Sequence, residues 1–152
     1  MLLDFLVFRH LRVARARAMR HIHRRRDLRS GDIRDPVTGS YGVPMWPHWS
    51  DRTFAYCHYA TYGDYLPGVL AAIDEPFAFL DIGANQGLFS LVAARNPNCR
   101  KIVAMEPVPA TYAKLQANLA LNGLEERADA INAAVADHPG SAEIALKPEH
   151  SG

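Results

Sequence analysis

Cysteine is scarce: Cys57 and Cys99 are the only two in 152 residues. Thiols so few and so far apart build no disulfide framework and suit a reducing compartment. His48, Cys57 and His58 suggest a metal site, but their spacing matches no ligand pattern and only Cys99 is left to join them, so no metal is expected. Long apolar runs are missing too. No stretch approaches the roughly 18 apolar residues that mark a membrane span. The apolar start has no leading positive charge, contains Asp4 and meets no small-residue cleavage site before its arginines, which argues against a secretory signal. Its arginine-rich character is compatible with a mitochondrial presequence, and the cytoplasm is the default compartment.

What is present is divided unevenly. Hydrophobic residues make up 49% and charged residues 22%, which suits one soluble globular domain at most. The net charge of +1 hides an asymmetry. Residues 1–30 hold nine arginines against Asp4 and Asp27, a balance of +7, while the remainder carries −6. Within this basic arm Leu3, Val7, Leu11, Ala14, Ala18 and Ile22 recur at helical spacing and form an apolar stripe, with Arg9, Arg12, Arg17 and Arg20 elsewhere on the wheel. Such a helix packs on its own domain or a partner, lies on an anionic membrane surface, or grips nucleic acid, the last being the weakest signal. The membrane reading would place the protein peripherally at the inner membrane surface. Residues 31–60 form a second segment, in which Pro36, Gly39, Gly42, Pro44 and Pro47 break up regular structure. Its aromatic residues, among them Tyr41, Trp46, Trp49, Phe54, Tyr56 and Tyr59, would serve as a lid or sugar-stacking platform, or simply cover a sheet.

Residues 61–152 carry the pattern of a Rossmann-like α/β fold. Tyr62, Tyr65, Leu66, Val69, Leu70 and Ile73 mark a helix starting near Leu66 and ending by Pro76. The apolar run Phe77 to Ile82 then reads as a strand, Gly83-Ala84-Asn85-Gln86-Gly87 as a tight turn, and Leu88 onward as a helix. A second strand ends at Glu106, 23 residues past Gly83. Pro109 opens a further helix that Gly123 closes, and Ala128 to Asn132 form a third strand. Ala142 to Leu146 alternate as a hairpin return strand.

Charge points to the ligand of the turn. A dinucleotide fingerprint needs a glycine where Asn85 stands. Asp81 would repel a pyrophosphate but suit an ammonium and a sulfonium, as in S-adenosyl-L-methionine. Glu106 at the tip of the second strand is placed for ribose hydroxyls, and Asn132 and Ala133 at the tip of the third for adenine. The cofactor set is therefore Asp81, Gly83, Ala84, Asn85, Gly87, Glu106, Asn132 and Ala133. The turn's backbone N–H groups would take the cofactor's carboxylate. A capped aspartate in an ordinary tight turn, a nicotinamide-dependent oxidoreductase, and a non-catalytic scaffold working through its basic arm are the competing readings.

Leu80 to Ser90, Glu106-Pro107, Leu115 to Gly123 and Asn132 to Val135 together resemble the FkbM-type methyltransferase family, over about residues 51 to 147. The resemblance implies an S-adenosylmethionine-dependent O-methyltransferase, often acting on sugar hydroxyls of glycans, glycolipids or secondary metabolites. It also implies a strand with a Lys-Ile-Asp-x-Glu-Gly-like motif, which this sequence lacks. The chain is expected to be the cofactor-binding half of such an enzyme, binding cofactor weakly by itself, with the edge of its first strand exposed. No residue is singled out as the catalytic base, and the methyl acceptor is a small molecule or glycan.

Overall fold

Alternating apolar residues before the glycine turn and after Asn98 build the centre of the fold, a parallel sheet. The structure, a computed structural model, describes residues 35–141 and 143–145, with Leu11, Val13, Ala14, Arg15, Ala18, Met19 and Ile22. The chain divides into two compact units, one ending at Leu66 and one starting at Pro67.

In the first unit β1 (Val37–Thr38) pairs antiparallel with β2 (Pro44–Met45), and α1 spans Arg52–His58. This corrects the expectation of an irregular segment. Pro44 is tolerated because it opens its strand, where no ladder N–H is missed. The helix start was readable: Asp51 is the N-cap, its Oδ1 accepting the Thr53 N–H at 2.9 Å. The aromatics form a core more than a platform. Tyr41, Trp49, Phe54 and Tyr59 are all buried, with Trp49 edge-on to Phe54 at 4.8 Å between ring centroids. The described residues of the basic arm are helical, yet Leu11, Ala14, Ala18 and Ile22 are exposed. The Arg15 guanidinium lies 5.3 Å from the centre of the Tyr59 ring.

Helix α2 spans Tyr65–Ala72 and buries only Leu70. Tyr65 and Val69 of the expected stripe face solvent. What fixes its end is polar: the Asn96 amide donates to the Leu70 and Ile73 carbonyls at 2.7 and 2.8 Å. The alternation from there onward gives β3 (Phe77–Ile82), α3 (Leu88–Ala94), β4 (Cys99–Met105), α4 (Pro109–Leu121) and β5 (Ala128–Ile131). Both strand pairs are parallel and the order is β3-β4-β5, so β3 lies at an edge, as expected. Pro109 stands at the start of α4. Gly123, at φ +65°, ends it, with the Gly123 and Leu124 N–H groups donating to the Ala120 and Leu119 carbonyls, each at 3.0 Å. Among the described residues of the expected hairpin strand, Glu143, Ile144 and Ala145 are irregular, as is Ser141 before them, and Ala142 and Leu146 lie outside the described residues.

Register separates the two faces of the sheet. Phe79, Ile102, Ala104 and Ala128 share the face on which α3 and α4 pack through Leu91, Leu115 and Leu119. The other face carries Leu80 at 57% exposure, Ile82 at 58%, and Ile131, with the Lys101–Asp129 ion pair (2.7 Å) beside them. Both crossover helices lie on one side because both crossovers run in the same direction along the sheet and share one hand. No described helix is long and apolar enough to cross a membrane.

Candidate functional site

Parallel strands deliver their C-terminal ends to one side, and there β3, the glycine turn and the tip of β4 meet. The turn takes left-handed backbone at three residues: Gly83 at φ +74°, Asn85 at +51° and Gly87 at +88°. Asparagine tolerates this conformation better than most residues, which is why Asn85 stands where a dinucleotide site would need glycine. Its Oδ1 also accepts the Gln86 N–H at 2.9 Å and stiffens the turn. The two glycines differ in purpose. A Cβ on Gly87 would lie 2.7 Å from Leu115 Cδ1, so Gly87 admits the core helix, whereas a Cβ on Gly83 would meet nothing within 4 Å. Gly83 leaves open space at the strand end.

Glu106 joins the parts. It is buried, with Oε2 accepting the Asn85 N–H and Oε1 the Val108 N–H, both at 2.9 Å. One carboxylate thus ties the turn after β3 to the start of α4. The Met105 carbonyl accepts from both Gly83 and Ala84, at 2.9 and 2.8 Å. With Gly87 N–H on the Ala84 carbonyl at 2.8 Å, every N–H from Gly83 to Gly87 is donated within the chain. Behind the turn, Asn118 is buried and its amide donates to the Gln86 carbonyl at 2.8 Å.

Asp81 points to the helix side of β3. Its Oδ2 accepts from Ser90 Oγ at 2.6 Å, and the Ser90 backbone N–H also donates to the carboxylate. Burial raises its pKa above the usual carboxylate value, and the Ser90 hydrogen bonds oppose that only in part. Asp81 therefore caps α3 from outside, in place of Gly87, whose position has no side-chain cap. Ser90 and Asn118 were not singled out from sequence. A polar residue inside an apolar helix face was the available signal, since buried polar groups need partners.

Asn132 and Ala133 reach the same end of the sheet. The Asn132 amide donates to the Glu106 and Pro107 carbonyls at 2.8 and 3.1 Å, so its side chain pins two strand tips together. Beside it opens a cleft of about 920 Å³ lined by Pro107, Asn132, Ala133, Ala134, His138 and Ile144 among others. Asp81, Gly83, Ala84, Asn85, Gly87, Glu106, Asn132 and Ala133 are thus all gathered at the strand tips. His48, Cys57 and His58 lie in the first unit, where the His58 ring stacks edge-on against Trp49 and Tyr59. No group of metal-ligating side chains occurs among the described residues.

Comparison with known proteins adds the family. Residues 81–152 match the family model of the Methyltransferase FkbM domain. Over these residues the chain is similar to FkbM methyltransferases. Methyltransferase sdnD of Sordaria araneosa is 38% identical over 78 residues, covering 51% of this chain and 30% of that protein. The chain thus spans about a third of the length of that curated relative. Among solved structures, the complex structure of aTrm5 and tRNALeu aligns with a TM-score of 0.52 and 21% identity over 64% of this chain and 27% of that one. That likeness is one of fold. The matched FkbM segment begins at Asp81, so it contains the turn, Glu106 and the tip of β5, while α2 and all but the last two residues of β3 precede it.

Proposed function

We propose that the chain carries the S-adenosylmethionine-binding part of a methyltransferase that acts on a hydroxyl of a sugar or glycan-type acceptor. The observation that carries this reading is the Glu106 carboxylate fixed against the glycine turn, beside the open side of Gly83. Open α/β sheets take their ligands at this end. The residues fit the group. Asp81 is a desolvated acid that a neighbouring cation would favour, as an ammonium or sulfonium would. Glu106 retains lone pairs beyond the two used by Asn85 and Val108 and would take ribose hydroxyls. Ala133, on the cleft beside Asn132, would lie against adenine. Because the turn N–H groups are used within the chain, the cofactor carboxylate falls to other donors or to a rearranged turn.

When bound, the cofactor supplies an electrophilic methyl group. The chain's own residues bind and orient it, and none is assigned as the base that takes the acceptor's proton. The sugar hydroxyl follows from the resemblance of the motifs, not from a described acceptor pocket. Isothermal titration of the full chain with S-adenosylmethionine, its demethylated product and NAD tests the reading. Heat with either of the first two supports it, and heat with NAD alone overturns it.

A further inference from the structure

The basic arm shows a juxtaposition that methyl transfer does not use. Leu11 and Ile22 are 60% and 59% exposed, and Ala14 and Ala18 between them are exposed as well. On a helical wheel at 100° per residue these four positions fall within about 80° of one another. Val13 and Met19, off that arc, are half-buried, and Arg15 sits on Tyr59. At Leu11, Ala14, Ala18 and Ile22 the arm therefore turns apolar side chains to solvent, within a segment whose charge balance is +7.

The geometry points to an anionic lipid surface as the partner of this face. An apolar stripe on a strongly cationic helix is what lies in the headgroup boundary of a bilayer, the stripe entering the lipid and the arginines meeting acidic headgroups. Nucleic acid would call for arginines at the contact, and would leave Leu11 and Ile22 in water. A lipid surface takes both features. It would also hold the chain beside acceptors presented at a membrane.

Vesicle flotation of the full chain, which separates bound protein from any aggregate, tests this with phosphatidylcholine alone and with about 30% phosphatidylserine. Binding should require phosphatidylserine and weaken as salt rises across the Debye range. Leu11→Glu with Ile22→Glu should lower it by at least about tenfold, while circular dichroism is unchanged because both sites are exposed. Equal binding to the two vesicle types, or equal binding by wild type and double variant, would overturn the inference. So would tight binding to a DNA duplex that the double variant retains together with all its vesicle binding.

Discussion

Replacing Glu106 by alanine would remove one acceptor from two backbone donors at once. The N–H groups of Asn85 and Val108 each lose a charge-assisted partner at 2.9 Å. Hydrogen bonds to charged groups contribute about 1.5–3 kcal/mol each, so complete loss of both would cost ~3–6 kcal/mol. Asn85 lies next to the open side of Gly83, where water can replace the carboxylate, so the lower end, about 3 kcal/mol, is expected. In a unit of this size each kcal/mol moves the melting temperature by about 4–8 °C, giving a fall of roughly 12–24 °C. Glu106→Gln keeps one acceptor and should fall between the two. Thermal unfolding followed by circular dichroism measures the shift, and amide exchange at Asn85 and Val108 locates it. A shift under ~4 °C with unchanged protection at both amides would refute the bracing role. Cofactor affinity lost in the alanine variant would then not by itself show a ribose contact, whereas loss in the glutamine variant with the fold kept would.

Three further outcomes follow from the same geometry. Gly83→Ala should cost only the ~1–2 kcal/mol of left-handed strain yet weaken cofactor binding, whereas Gly87→Ala adds a clash with Leu115 and should lower stability by a further ~1–3 kcal/mol; equal losses in denaturant titrations would refute the distinction. Asp81→Asn should keep or slightly raise the melting temperature, because the raised pKa means that burial disfavours the ionised form. Wild-type affinity for S-adenosylmethionine should rise with pH as Asp81 ionises above the ordinary carboxylate range, and the variant should show no such rise; parallel pH profiles would remove Asp81 from the site. Cys57, fully buried and next to Asp51, has its thiol pushed up to about 12, so iodoacetamide at pH 8 should modify it only after unfolding. Because its folded pKa is the higher one, stability should decline as pH climbs from 9.0 toward 12.

The strand-turn-helix order, both parallel pairs and the tips of β3, β4 and β5 were legible because each rests on local signals: an apolar run, paired glycines, Pro109 and Gly123. The position of Asp81 and Glu106 at the tips of β3 and β4 was legible too, since each closes an apolar strand run. Their partners were not. Which donor a carboxylate meets depends on sheet register, and neither Asn85 against Glu106 nor Ser90 against Asp81 can be read from spacing. The α1 helix was missed because proline and glycine nearby outweighed a single Asp51 cap. The described residues of the expected hairpin strand, Glu143 to Ala145, are irregular because alternation marks a strand only where a neighbour pairs with it.

The double acceptance by the Met105 carbonyl bears on the timing of folding. Three of the turn's five N–H groups, those of Gly83, Ala84 and Asn85, are held by Met105 and Glu106, more than twenty residues downstream, and not by the helix it opens. A nascent β3-turn-α3 segment would therefore have its glycines but not its shape until β4 had docked. Closing that loop carries an entropic cost before any contact offsets it, which places the turn among the later features to settle. A cofactor would accordingly recognise the paired strands and not the isolated segment. It would act as a latch on a finished pair and not as a nucleus for one: adding it should slow unfolding while leaving the refolding rate nearly unchanged.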